Sequence, residues 1–463
     1  MQIKDYIMTG KTIIGLGLLM TISAWNNPQG KKENTTNIDD QKKPNVILIM
    51  ADDMGYECLG TYGSAEYQTP NLDKMAEEGV KFQHCYSQPL CTPSRVKIMT
   101  GKYNYRNYTH FGLLPTGEKT FGNMMKEAGY ATCIAGKWQL NGHYHKDQIS
   151  DWDDLSKPKK FGFDEHCLWQ VTKNKGEGKE RYGDPLIVQN EKELTGTEMK
   201  YGPDIFCNYI IDFVERKKDT NFFVYFPMVL VHSPFVPTPD SEEWADTSLW
   251  YKADTSFYAD MMNYTDKIVG KINTRLEELG LAENTLVMFT GDNGTDRSIQ
   301  STMKDGTVIQ GGKGQMNDYG TLVPFIAWWK GHSLKGEVND ELVDFADFLP
   351  TLADLANYDI TNKYPNDGQS FLPLVTGKGD YQPKEHIFMH YDPKWGFGNQ
   401  WKGQFVRDKK YKLYRNGNFY DVANDPLEQS PLDSASLNEE QKKIRNKFLE
   451  VFKDKPLIQE QNS

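Results

Sequence analysis

The sequence predicts an α/β fold, with a large, mostly parallel sheet sandwiched by helices and a smaller C-terminal subdomain of antiparallel sheet plus helix. Three observations carry this. Short apolar runs alternate with segments whose apolar residues recur at helical spacing, the pattern of a sheet covered on both faces. Four of the apolar runs end in residues able to bind ions or move protons. Beyond about residue 374 the pattern changes to short strands separated by turns.

The elements follow in chain order. Positions 1–25 read as an export signal: Lys4 and Lys11 precede an apolar stretch from Thr12 to about Trp25, with small Ser23 and Ala24 near its end. That stretch is short for a spanning helix and holds no cysteine for a lipid anchor. Positions 26–43 form a polar, Asn/Lys-rich linker. A periplasmic or secreted protein with no membrane partner is expected.

The main α/β domain covers 44–375. Its strands are expected at 45–50, 130–135, 221–231 and 284–290, and its helices at 72–78, 121–128, 204–216 and 258–279. The second unit covers 376–463, with strands at 385–390, 404–407, 411–414 and 418–420, then an amphipathic helix over 439–453.

The chain has 463 residues and a formal net charge of -11, which argues against nucleic acid as a partner. An anionic small substrate is still compatible, because a local cationic pocket can sit in an acidic protein. The six cysteines are Cys58, Cys85, Cys91, Cys133, Cys167 and Cys207. No C-x-x-C pair occurs, so a zinc ribbon is not expected. Pairing cannot be read from sequence.

In an open α/β sheet, ligands collect at the carboxyl ends of the strands. The four loaded runs end at Asp52 and Asp53, at Lys137, at His232, and at Asp292 and Asn293. That convergence predicts one active site. Asp52, Asp53, Asp292 and Asn293 offer hard oxygen ligands, suited to calcium or magnesium rather than zinc. Cys91 is followed by Thr92, which can cap a helix, and Pro93, which fits a first turn. Cys91 therefore sits at a helix N-terminus, where backbone N–H groups favour an anion.

The run Cys91-Thr92-Pro93-Ser94-Arg95, followed by Met99-Thr100-Gly101-Lys102, resembles the modification motif of the type I sulfatases, C-x-P-S-R followed by L-T-G-R. Other segments agree in order: Thr69-Pro70-Asn71-Leu72-Asp73 with T-P-N-L-D, Gly311-Gly312-Lys313-Gly314 with G-G-K-G, and Asp367-Gly368-Gln369-Ser370 with D-G-x-S. The match runs from about Pro44 to Glu428.

The resemblance implies an alkaline phosphatase-like fold and hydrolysis of sulfate esters, with sulfated carbohydrate as the expected substrate. It implies that a maturase oxidises Cys91 to formylglycine, whose hydrated form attacks sulfur and then expels sulfate. It implies one Ca2+ held by Asp52, Asp53, Asp292 and Asn293 and touching position 91. Arg95 would stabilise the hydrated aldehyde, Lys137 and Lys313 would hold sulfate oxygens, and His232 would protonate the leaving alcohol.

The chain departs from the family at one place. After the strand the family reads G-K-W-H-L-G, whereas here Gly136-Lys137-Trp138 is followed by Gln139. The usual histidine takes a proton as sulfate leaves, which an amide cannot do. His143 and His145 lie close in sequence, and either is expected to substitute. Around His390, Tyr391, Asp392, Trp395 and Trp401 the chain is aromatic and polar, suited to stacking on a sugar. Gln139, His143, His145, His390 and Trp395 are thus the candidate substrate contacts. Two alternatives remain open: a phosphonate monoester or phosphodiester hydrolase of the same superfamily, and a catalytically decayed glycan-binding protein.

Overall fold

In the computed structural model, which describes residues 43–172, 180–395 and 401–458, the loaded runs become neighbouring strands of one sheet. The signal and linker expected over 1–43 lie, except for the last residue, outside the described residues. No helix among the described residues is long and apolar enough to cross a membrane.

The first half of the chain gives β1 (Asn45–Ala51), α1 (Pro70–Glu78), β2 (Val80–Tyr86), α2 (Cys91–Thr100), α3 (Phe121–Glu127), β3 (Ala131–Lys137), α4 (Lys157–Lys160), β4 (Glu165–Trp169), β5 (Ile187–Gln189) and β6 (Lys192–Glu193). Next come α5 (Gly202–Arg216), β7 (Phe222–Pro227), α6 (Tyr258–Glu278), β8 (Thr285–Gly291), β9 (Gln300–Thr302), β10 (Val308–Gln310) and α7 (Asp318–Thr321). Then follow β11 (Leu322–Trp328), β12 (Glu337–Asp344), α8 (Phe348–Leu355) and α9 (Leu372–Thr376). The last elements are β13 (Ile387–Tyr391), β14 (Gly403–Arg407), β15 (Tyr411–Tyr414), β16 (Phe419–Asp421) and α10 (Glu439–Lys453).

Among the described residues the large sheet has ten strands in the order β12-β2-β11-β8-β1-β7-β3-β4-β5-β6. Its centre is parallel, and only β11 and β5 run against the rest. β1 shows why its sequence is apolar throughout. Ile47, Ile49 and Ala51 face one core with α5 and α6, while Val46, Leu48 and Met50 face another with α2, α3 and α8.

Strand register positions the site. Ala51 pairs with Gly291 and Met50 with Pro227, so Asp52 and Asp292 leave the sheet side by side. The third apolar run behaves differently from expectation. Its strand ends at Pro227, and Met228–Val231 turns across the end of β1, with Val231 N–H donating to the Asp52 carbonyl at 2.8 Å. His232 therefore sits in a loop rather than at a strand terminus.

The C-terminal strands form a separate antiparallel sheet in the order β13-β14-β15-β16. Phe448 and Phe452 of α10 pack on Phe388, Val406, Leu413 and Phe419. Asn438 and Gln441 form a reciprocal cap at the start of that helix.

Candidate active site

Cys91 is the first residue of α2 and is 3% exposed. The capping position is Leu90; Thr92 lies inside the helix, and its Oγ1 accepts from Gly112 N–H at 3.3 Å. All ten residues of α2 are buried. Ser94 Oγ accepts from Gln88 N–H and donates to Gln88 O, both at 3.0 Å, and Lys97 pairs with buried Asp344 at 2.6 Å. The helix start is thus fixed from both sides. Arg95 reaches back as expected: its Nε donates to Cys91 O at 3.2 Å and its Nη2 to Gln139 Oε1 at 3.0 Å. Gln139 Oε1 lies 3.9 Å from Cys91 Sγ.

The acidic residues converge on the same point. One set of donor atoms from Asp52, Cys91 and Asp292, and another from Asp52, Asp53 and His232, each lie within 4.8 Å of one another. Lys137 Nζ meets Asp52 Oδ1 and Oδ2 at 2.8 and 2.7 Å. Gly136 allows this approach, because a Cβ there would lie 2.0 Å from Pro227 O. Asp53 N–H donates to Asp292 Oδ1 at 3.0 Å, and Asn293 Nδ2 donates to Asp53 Oδ1 at 2.8 Å.

Burial raises the Asp52 carboxyl, but Lys137 and the other cations overcome it and hold it well below the carboxylate range. Burial, Asp52 and Cys91 push Asp292 far above that range. Asn293 Oδ1 is buried with no hydrogen-bond partner. Three crowded carboxylates and an orphaned amide oxygen fit a hard divalent cation, which would relieve their repulsion.

Lys313 comes from the glycine loop after β10. A Cβ on Gly312 would lie 2.4 Å from the Tyr319 backbone, so only glycine passes there. Lys313 Nζ donates to Asp53 Oδ2 at 2.5 Å and lies 3.1 Å from His232 Nε2. His232 Nδ1 lies 2.6 Å from Ser233 O, which requires the proton on Nδ1. Burial and then Lys313 hold the ring well below its usual pKa, so it is neutral and its Nε2 accepts from Lys313.

The substrate candidates divide. Gln139 touches position 91. His143 is buried and connects to Gln139 indirectly: Gln170 Nε2 lies 3.4 Å from His143 Nε2 and 3.2 Å from the Tyr144 hydroxyl, which accepts from Gln139 Nε2 at 2.9 Å. His145 instead faces Phe111 O at 3.1 Å and the His110 ring. Trp395 is 44% exposed and stacks on Phe111 at 4.1 Å, with Tyr144 beyond at 5.9 Å. His390 lies in a cleft with Tyr105, Tyr108 and Lys394, its Nδ1 accepting from Gln404.

Sequence reasoning missed Arg181, Tyr144 and Gln170. Arg181 lies 4.1 Å over the Trp169 ring and 3.9 Å from Asp52 Oδ2, adding a fourth cation to Arg95, Lys137 and Lys313. No motif surrounds these three residues. All six cysteines are free thiols.

Residues 44–358 match the family model described as Sulfatase, and residues 312–454 match that described as N-sulphoglucosamine sulphohydrolase, C-terminal. The chain is 32% identical to the N-acetylgalactosamine-6-sulfatase of Rattus norvegicus, over 72% of this chain and 66% of that protein, just under two thirds of its length. It is 31% identical to arylsulfatase A of Homo sapiens, over 81% and 75% of the two chains. A solved structure described as in complex with its substrate D-glucosamine-2-N,6-O-disulfate superposes with a TM-score of 0.70 at 21% identity, covering 89% of this chain and 98% of that one. At that identity the likeness concerns the fold.

Proposed function

The chain belongs to the sulfatase family, and from that premise we propose that it hydrolyses sulfate esters carried on carbohydrate, outside the cytoplasm. The observation that carries this reading is Cys91 at a buried helix start, within 4.8 Å of the Asp52 and Asp292 oxygens and beside Arg95. Formylglycine made from Cys91 by a maturase supplies the hydroxyl nucleophile. Asp52, Asp53, Asp292 and Asn293 would hold calcium, which would supply positive charge against the developing sulfate charge.

Lys137 and Lys313 hold the ester sulfate, with the α2 N–H groups facing it. Arg95 and Gln139 orient the group at position 91. The Lys313–His232 pair delivers the proton to the leaving alcohol, with Lys313 carrying it at rest, because His232 Nε2 is the acceptor of that contact. His143, joined to position 91 through Gln170, Tyr144 and Gln139, positions Gln139, and because the two amides hand on no proton, a water at position 91 takes the proton as sulfate leaves. Burial, Lys146 and His145 lower the pKa of His143 to about 4, so it is a free base at neutral pH. Trp395, with Phe111 and Tyr144, forms an aromatic rim against which a sugar ring stacks.

Incubating protein from its native host with a panel of defined sulfated saccharides tests this reading. Free sulfate is expected from at least one member, and none from the Cys91→Ser variant. Faster cleavage of a nitrophenyl phosphonate than of nitrophenyl sulfate would overturn it.

A further inference from the structure

Two polar clefts flank the loop that carries Lys313. One, of about 660 Å³, is walled by Glu66 and Tyr67 after β1, by 255–259 at the start of α6, and by Arg297, Gln300 and Gln310 beyond β8. These segments follow β1, β7 and β8, so this cleft opens at the same end of the sheet as Asp52, His232 and Asp292. The other, of about 520 Å³, is walled by Gln315, Asn317, Trp401, Tyr414 and Asn418. Gln310 ends in the first cleft and Gln315 begins the second, with Lys313 between them. Between the two, the Arg297 guanidinium of the first lies 4.7 Å over the Trp401 ring of the second.

The lining chemistry is specific. Aromatic faces suit the C–H face of a pyranose, and planar amides pair with vicinal hydroxyls as donor and acceptor together. Arg297 is set against Glu66 in the first lining and Lys402 against Glu428 in the second, so both clefts are electrically balanced in a protein of net charge -11 and admit a sulfated chain. Each volume lies within the ~300–1,000 Å³ of ordinary ligand sites, more in sum than one sulfated monosaccharide requires.

We infer that this double cleft binds the neighbouring sugar units of an anionic glycan chain, so that the substrate is an oligo- or polysaccharide rather than a free monosaccharide sulfate. The inference rests on the proposed hydrolysis for its substrate class, and on the Arg297–Trp401 junction beside Lys313 for its location. Remote sugars would then supply binding energy that the reacting unit alone cannot.

The test measures binding separately from turnover. The Cys91→Ser protein is titrated calorimetrically with 6-sulfated chondroitin and carrageenan oligosaccharides, from monosaccharide sulfate to hexasaccharide. In at least one series the hexasaccharide is expected to bind ~10-fold or more tightly than the monosaccharide, as one or two stacking contacts provide. Trp401→Ala and, at an exposed position that spares the packed core, Gln300→Trp are each expected to abolish that gain. A hexasaccharide that binds no tighter than the monosaccharide in both series, or a gain that survives both variants, overturns the inference. If the chain-length gain holds while the unaltered protein releases no sulfate, the proposed hydrolysis falls and the glycan groove stands.

Discussion

Lys137 Nζ lies within 2.8 Å of both carboxylate oxygens of Asp52, and neither side chain is more than 2% exposed. A pair this deep is costly to break, because the remaining charge stays desolvated. Lys137→Ala is expected to destabilise the metal-free protein by about 3 kcal/mol. Arg181 at 3.9 Å keeps the loss at the low end of that class. Sulfate release should fall ~10²–10³-fold. Denaturant unfolding and a sulfate assay read the two effects, and wild-type values in both would refute the assignment.

Calcium should stabilise the fold by mass action, by about 2.7 kcal/mol at one hundred times its dissociation constant. Asp292 is the most informative ligand, since burial and Asp52 already disfavour its charge. Asp292→Asn is expected to melt higher than the parent in chelator and lower in saturating calcium. A parent melting curve indifferent to calcium would remove the metal from this reading.

The His143 route to position 91 passes through two amides and a phenol. The doubly substituted His143→Ala/His145→Ala protein is expected to lose ~10-fold or more in kcat with little change in KM. Adding Gln139→His, which puts an imidazole where the amide meets Cys91, should restore the rate. Undiminished turnover by the double variant would show that neither histidine serves this step.

Burial lowers the pKa of His166 to about 4, and its Nε2 accepts from Glu191 N–H at 3.1 Å, so the folded state holds it neutral. The unfolded chain titrates near the ordinary histidine value of 6.5 and binds the extra proton between the two values. Stability from this residue is complete above pH 6.5 and is lost as pH falls toward 4, by at most ~1.4 kcal/mol per unit. Replacement by glutamine should flatten the fall of the unfolding midpoint across that window. An identical slope in the variant would contradict the assignment.

Much of the site was legible because buried parallel strands are apolar to their ends, which makes the first polar residues beyond them conspicuous. Asp52, Lys137 and Asp292 stand out for that reason, and the register of β1 with β8 brings two of them together. The α5, α6 and α10 patterns fell within two residues of their observed bounds. The edge strands were harder. β12 reads Glu-Val-Asn-Asp-Glu-Leu-Val-Asp, with only its last three residues buried, and its partner β2 is more than 200 residues away. Arg181 and Gln170 reach the site through pairings that local sequence does not encode. Gln139 was expected as a substrate contact standing where the family has a histidine, and its φ of 48° and its Arg95 contact mark it as a built feature beside position 91.

The depth of Cys91 constrains the order of events in the cell. Leu90 and the whole of α2 are enclosed, and the Lys97–Asp344 clamp ties the segment to residues some 250 positions later in the chain. On the proposed conversion of Cys91, the oxidising enzyme would have to grip this stretch while it is still extended, and its window would close when the C-terminal half of the domain docks. Chains that missed that window would fold into copies that keep the full cation cage without the nucleophile, and only unfolding would give them a second chance.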